Sequence, residues 1–457
     1  MAMYNINDDT LFEICSHLSV RDFIQFTITC RKSLTKTKIK KINEPININI
    51  IKQYYHKYNF TNLLFDDRCQ ELDNDDFVYN IPNSITELDL RLHHKSLRNI
   101  NLNQLSNINS IRISSSSIKG SVLEKDLTFL PSNLKYITFC NILFRNNIQN
   151  LPNKLIKFKI DRCRFDQQLN FLPPTLKVLV IDSSIFDQPL NNLPNTLEEL
   201  VIISPIFNQV IDFPQTLKKL VIDSPIFNKP LNNLPLTVIK LKILSYTNLI
   251  KKNGSGNENI LIQPNILKKM CITYDYPLAN LPQSLTNLTL KCYGYNHQLP
   301  QLPDSLKILD IYNYNQPIHC NSLKKISTNT SFKILKSRNI ITYFPNLEEI
   351  IFNNDFPLET GNGFYVDNNF DRNIPFQCFK NISHIKKQIN EICTFAPVVK
   401  QVVFHFQCST INISVSNKNI QKIVVNYIPV YHRNIVIMIK IFALFILLLL
   451  FILYLLY

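Results

Sequence analysis

LPPTLKVLVIDSSIF (172–186) and LPNTLEELVIISPIF (193–207) are one sentence written twice, 21 residues apart, and that recurrence decides the fold. The sentence stands earlier as LPSNLKYITFCNILF (130–144) and LPNKLIKFKIDRCRF (151–165), and later, one residue short, as FPQTLKKLVIDSPIF (213–227). Its prolines fall at Pro131, Pro152, Pro173, Pro194, Pro214 and Pro235. An aromatic follows 13 residues later at Phe144, Phe165, Phe186, Phe207 and Phe227. A unit this short cannot bury its apolar face alone, so it must stack on copies of itself as a solenoid.

Within each unit three apolar residues are spaced by three and then two, as in Leu155/Phe158/Ile160 and Leu176/Leu179/Ile181. That spacing predicts a short strand whose alternate side chains enter the core. The proline suits the turn leading in, because it fixes φ and lacks a donor the strand ladder would need. The pattern repeats at Leu134/Ile137/Phe139, Leu197/Leu200/Ile202, Leu217/Leu220/Ile222 and Val238/Leu241/Ile243. Looser copies stand at Ile85/Leu88/Leu90, Ile108/Ile111/Ile113, Leu267/Met270/Ile272, Leu285/Leu288/Leu290 and Leu306/Leu309/Ile311. Three more follow at Leu347/Ile350/Phe352, Val399/Val402/Phe404 and Ile420/Ile423/Val425.

The unit resembles a leucine-rich repeat, with one difference. Where that pattern usually places an asparagine, this chain has Ile142, Cys163, Ser184, Pro205 and Pro225. The descending backbone must then be held by another group, and the residue after each aromatic (Asp166, Asp187, Asn208, Asn228) is the candidate. Phe186-Asp-Gln-Pro-Leu, Phe207-Asn-Gln-Val and Phe227-Asn-Lys-Pro-Leu resemble FNIP repeats, a leucine-rich-like family of about 22 residues abundant in social amoebae. The likeness is densest over 120–245 and 261–320, where Tyr274, Tyr295 and Tyr314 replace the phenylalanine. It implies an α/β-type solenoid over 81–430 that binds protein and has no catalytic residues.

If strand positions one, four and six face inward, positions three, five and seven line an exposed strand face. The protein-binding candidates are therefore Lys157, Lys159, Asp161, Val180, Asp182, Glu199, Val201, Lys219, Val221 and Asp223. Val178 and Ile203 share the face. Acid, base and valine on neighbouring strands make a mixed surface of the kind proteins recognise. Asp161, Asp182 and Asp223 equally suit capping of the turn after each strand.

Residues 1–45 read differently. Thr10-Leu-Phe-Glu13 has the form of a capping box, and Leu11, Ile14, Cys15 and Leu18 recur at helical spacing. With Val20-Arg-Asp-Phe23 and Cys30-Arg-Lys32, the segment resembles an F-box, a small helical module that docks on the adaptor of a cullin-RING ubiquitin ligase. The resemblance implies that Leu11, Ile14, Leu18, Val20 and Phe23 meet the adaptor. The alternative is a helical cap closing the solenoid of a non-catalytic scaffold, since open repeat arrays need one. Residues 46–80 read as a connecting segment.

At the other end, IFALFILLLLFILYLLY (441–457) has no polar break, and from Ile435 only Lys440 interrupts 23 residues. That length predicts a transmembrane helix over 435–457, with Lys440 snorkelling to the headgroups. His432, Arg433 and Lys440 on the near flank predict a C-terminal anchor that leaves residues 1–434 in the cytosol.

Composition narrows the remaining classes. The formal charge is +15, but the lysines are scattered singly through the repeats and no aromatic-plus-basic module appears, which argues against nucleic acid. Eleven cysteines, odd in number and never spaced CxxC, fit a reducing compartment better than a disulfide framework. No metal-ligand, nucleophile or phosphate-binding motif stands out, so neither enzymatic activity nor a cofactor is expected.

Overall fold

The computed structural model describes residues 17–18, 22, 41–42, 46–47, 59–66, 81, 83–92, 102–116, 121–123, 127–145, 148–244, 274–292, 295, 297–312, 314, 316–328, 344–353, 401–406 and 422–427. The chain divides into two units, Met1–Leu306 and Lys307–Tyr457. In the first unit the strands are β1 (Lys41–Ile42), β2 (Ile46–Asn47), β3 (Asn59–Phe60), β4 (Asn62–Asp66), β5 (Glu87–Leu92), β6 (Ser110–Ser115), β7 (Ser121–Leu123) and β8 (Tyr136–Cys140). They continue as β9 (Ile142–Phe144), β10 (Lys157–Cys163), β11 (Val178–Ser183), β12 (Glu199–Ile203), β13 (Lys219–Asp223), β14 (Lys240–Leu244) and β15 (Asn287–Lys291).

One parallel ladder runs β2-β4-β5-β6-β8-β10-β11-β12-β13-β14-β15, while β1 pairs with β3 and β7 with β9. The register follows the repeat: Leu179 stands beside Leu200, Leu200 beside Leu220 and Leu220 beside Leu241. Positions one, four and six form continuous buried columns, as at Leu155/Phe158/Ile160 and Leu197/Leu200/Ile202. The ladder extends back through β4, where Phe60, Leu63 and Phe65 fill the same three positions within the segment read as a connection. Between β14 and β15 the pairing is direct, Lys240 against Asn287. The unit expected at Leu267/Met270/Ile272 lies outside the described residues.

The expected α/β character is corrected. From β10 to β14 every residue of each turn is described, and none of the return segments is helical. Pro189, Pro205, Pro225 and Pro230 remove amide donors from these segments, and too few residues remain to close a helix around them. The fold is a parallel β-solenoid.

Stacked aromatics take the place of return helices. Phe165, Phe186, Phe207 and Phe227 lie face to face with centroids 5.8, 5.8 and 5.9 Å apart. Tyr274 stacks on Phe227 at 5.9 Å and Tyr295 on Tyr274 at 6.0 Å, so the column continues beyond 245–273. The Tyr295 hydroxyl lies 3.3 Å from the Leu278 amide. The Tyr274 hydroxyl is buried without a hydrogen-bond partner, and burial raises its pKa. Tyr274→Phe keeps the stack and removes an unsatisfied polar group, so it should stabilise the solenoid by about 1 kcal/mol. A urea unfolding midpoint at or below wild type would contradict this.

Side-chain ladders hold the backbone on either side of the stack. Asp166 Oδ1 accepts from the Asp187 amide, Asp187 Oδ1 from Asn208, Asn208 Oδ1 from Asn228, and Asn228 Oδ1 from Asp275, at 2.8–3.0 Å. This is the ladder expected at the residue after each aromatic. A second ladder was not foreseen: buried Ser183, Ser204 and Ser224 donate to the carbonyls of Phe165, Phe186 and Phe207 at 2.7, 2.8 and 2.9 Å. At the lead-in turns, Thr175, Thr196, Thr216 and Thr237 hydroxyls lie 2.8–2.9 Å from the carbonyls of Leu155, Leu176, Leu197 and Leu217 one turn back. Each ladder ties one turn to the next, so the repeats are fixed by polar bonds as well as by apolar stacking.

In the second unit parallel pairing runs through β16 (Ile308–Ile311), β17 (Lys325–Thr328), β18 (Glu349–Asn353), β19 (Gln401–Phe406) and β20 (Lys422–Tyr427). The late matches at Ile350, Val402 and Ile423 stand beside one another in this register.

Candidate protein-binding face

The face is built by strand alternation. On β10–β13 the residues between the core columns point away from the core, and parallel pairing aligns them into rows across the strands. Row three runs Lys157, Val178, Glu199, Lys219, Lys240. Row five runs Lys159, Val180, Val201, Val221, Lys242. In row seven Asp182 stands beside Ile203, and Ile203 beside Asp223. The valines are half-buried, because each is flanked by side chains a strand spacing of about 4.8 Å away.

Nine of the ten expected residues are partly exposed on this face; Asp223 is corrected. It is 6% exposed. Cross-strand neighbours close over its short side chain, so it belongs to the end of the strand and not to the open surface.

Ion pairs rim the valine row on its lead-in side. Glu198 is held by Lys218 at 2.7 Å and Lys177 at 3.0 Å, and Glu199 by Lys219 at 2.6 Å. Hydrogen bonds from Lys218 and Lys177 lower the Glu198 pKa. On the opposite rim Asp161 receives Lys159 at 3.5 Å and Arg162 at 3.9 Å. The β10–β11 register shifts between Ile160 and Cys163, and Arg162 adopts φ 54° there, which opens that corner of the face. Beyond it, burial pushes the thiols of Cys140 and Cys163 up to about 11 and about 12, which makes them unreactive packing groups.

The sequence reading missed Lys177, Glu198 and Lys218, because position two was assigned to neither core nor face. It also missed Lys240 and Lys242, although positions three and five of β14 carry them. Both are exposed and form no ion pair among the described residues. Of the adaptor-facing set only half-buried Leu18 is described; Leu11, Ile14, Val20 and Phe23 lie outside, as does the apolar segment 435–457. Among the described residues no helix is long and apolar enough to cross a membrane, and no group of three or more His, Cys, Asp or Glu is placed to hold a metal.

Fold and face together define a solenoid repeat protein whose open surface suits protein–protein interaction. No family model matches the chain, and no curated protein does. Among solved structures it is similar to YopM from Yersinia enterocolitica WA-314, at 18% identity and a TM-score of 0.38, over 65% of this chain and 63% of that one. The match thus spans less than two thirds of that protein.

Proposed function

We propose that this chain is a membrane-anchored substrate-recognition subunit of a cullin-RING ubiquitin ligase. The solenoid face holds a protein target and residues 1–45 dock on the F-box adaptor. The observation that carries the binding role is the apolar row Val180-Val201-Val221 set in an otherwise charged face. Interfaces combine such an apolar centre with a polar rim. The ligase role is supported by the pattern Leu11-x-x-Ile14-x-x-x-Leu18, Val20, Phe23, and the anchor by the apolar run 441–457.

The test is recovery of adaptor and cullin with the full chain extracted in mild detergent. Ile14→Asp with Leu18→Asp should abolish recovery of both, whereas Val201→Asp should leave it intact. Undiminished recovery by the double variant would overturn the ligase role. The chain would then be an interaction scaffold whose N-terminal segment caps the repeats, and deleting residues 1–41 should cause aggregation.

A further inference from the structure

Resting on the reading of this face as protein-binding, we infer that its occupant is an extended acidic–apolar–acidic segment lying across the strands. Row five supplies the argument: three valines on β11, β12 and β13 are bounded by Lys159 on β10 and Lys242 on β14. Row three places Lys157 and Lys240 beside them on the same outer strands. The valine strip therefore has a pair of lysines at each end.

The charges inside and outside the strip are matched differently. Lys219, within the strip, is already paired with Glu199 at 2.6 Å, and Lys177 and Lys218 share Glu198. Lys159 leans on Asp161 at 3.5 Å. Lys157, Lys240 and Lys242 have no carboxylate partner among the described residues, so one end keeps one unmatched ammonium and the other keeps two. An anion at each end completes the face; a cation at either end is repelled. Asp182 lies along row seven on β11, so the acidic groups of the occupant sit toward rows three and five.

The geometry also sets a length. Lys159 and Lys242 are four strand steps apart, about 19 Å at the usual spacing. An extended chain advances about 3.3 Å per residue, so residues i and i+6 span that distance with their side chains on one side. Residues i+2 and i+4 point the same way and meet the valines. The occupant thus carries Asp or Glu at i and i+6 and apolar side chains at i+2 and i+4.

The probe is a fluorescent nonapeptide with glutamates at its second and eighth positions, leucines at its fourth and sixth, and serine and glycine elsewhere. It is titrated against the full chain in mild detergent by anisotropy. Saturable binding is expected, weakened roughly tenfold by Lys240→Glu with Lys242→Glu, since two exposed ion pairs are lost, and weakened similarly by 1 M salt. Both lysines are exposed, so this variant keeps the fold, as circular dichroism would show. A peptide with lysines in place of the glutamates should not bind.

Equal binding of the two peptides, or indifference to the lysine reversals, overturns the inference. So does absence of binding by the glutamate peptide. Selection from a displayed library of random nonapeptides then separates the two levels of failure. Selected peptides that lose binding with Val201→Asp, yet lack the acidic pair, leave the protein-binding face standing and reject this occupant. Selected peptides all indifferent to Val201→Asp reject the face itself.

Discussion

Phe207→Ala is expected to destabilise the solenoid by about 4 kcal/mol, the usual scale for emptying a fully buried phenylalanine site. Phe207 is 0% exposed and lies between Phe186 at 5.8 Å and Phe227 at 5.9 Å. Truncation removes the transfer energy of the ring, leaves a cavity and breaks two stacking contacts at once. Relaxation cannot fill the gap, because the neighbouring backbone is held by Ser204 and Ser224 to the carbonyls of Phe186 and Phe207. In a solenoid each turn contacts only its neighbours, so a broken turn also weakens the two interfaces it makes. Phe171→Ala is the internal control: the same residue type, 74% exposed, should move the urea midpoint hardly at all. A loss below about 1 kcal/mol at Phe207, in the range of ordinary surface changes, would show that the aromatic column does not carry the fold.

Much of this architecture was legible because it depends on periodicity. Spacings of three and two placed the core columns of β5, β6, β8 and β10 to β15 and the alternation that puts Lys157, Val180 and Val201 on the open side. Two further rungs followed the same rule and were passed over. Phe60/Leu63/Phe65 has the full apolar pattern but precedes the first proline-led turn. Leu323/Ile326/Thr328 ends on a threonine, which the apolar template rejects although the side chain is 2% exposed. The face was harder to read, because partners such as Lys177, Glu198 and Lys218 meet only through register. The one-residue shortening before Phe213 and the bulge at Arg162 show how easily register departs from sequence spacing.

The adjacent pair Ser183-Ser184 offers the sharpest test of what replaces the asparagine of the leucine-rich pattern. Repeat spacing assigned Ser184 to that position, but the bonds belong to Ser183. Its hydroxyl donates to the Phe165 carbonyl at 2.7 Å and accepts from the Phe165 amide at 3.1 Å. Ser204 and Ser224 stand at the same repeat position and make the same bond, so the ladder belongs to the residue before the one the spacing assigned. Only in β10, where the bulge adds a residue, does Cys163 take that place, its thiol 3.4 Å from the Phe139 carbonyl. Ser183 is 1% exposed, so Ser183→Ala leaves a buried carbonyl and a buried amide unpaired, at a cost of about 2 kcal/mol. Ser184 is half-buried in the turn, and Ser184→Ala should stay within about 0.5 kcal/mol of wild type. Amide exchange at Phe165 reads the difference locally: its protection should fall about thirtyfold in Ser183→Ala, the equivalent of that loss, and not change in Ser184→Ala. Equal effects of the two substitutions would return the ladder to Ser184 and remove the account of how these turns bond without an asparagine.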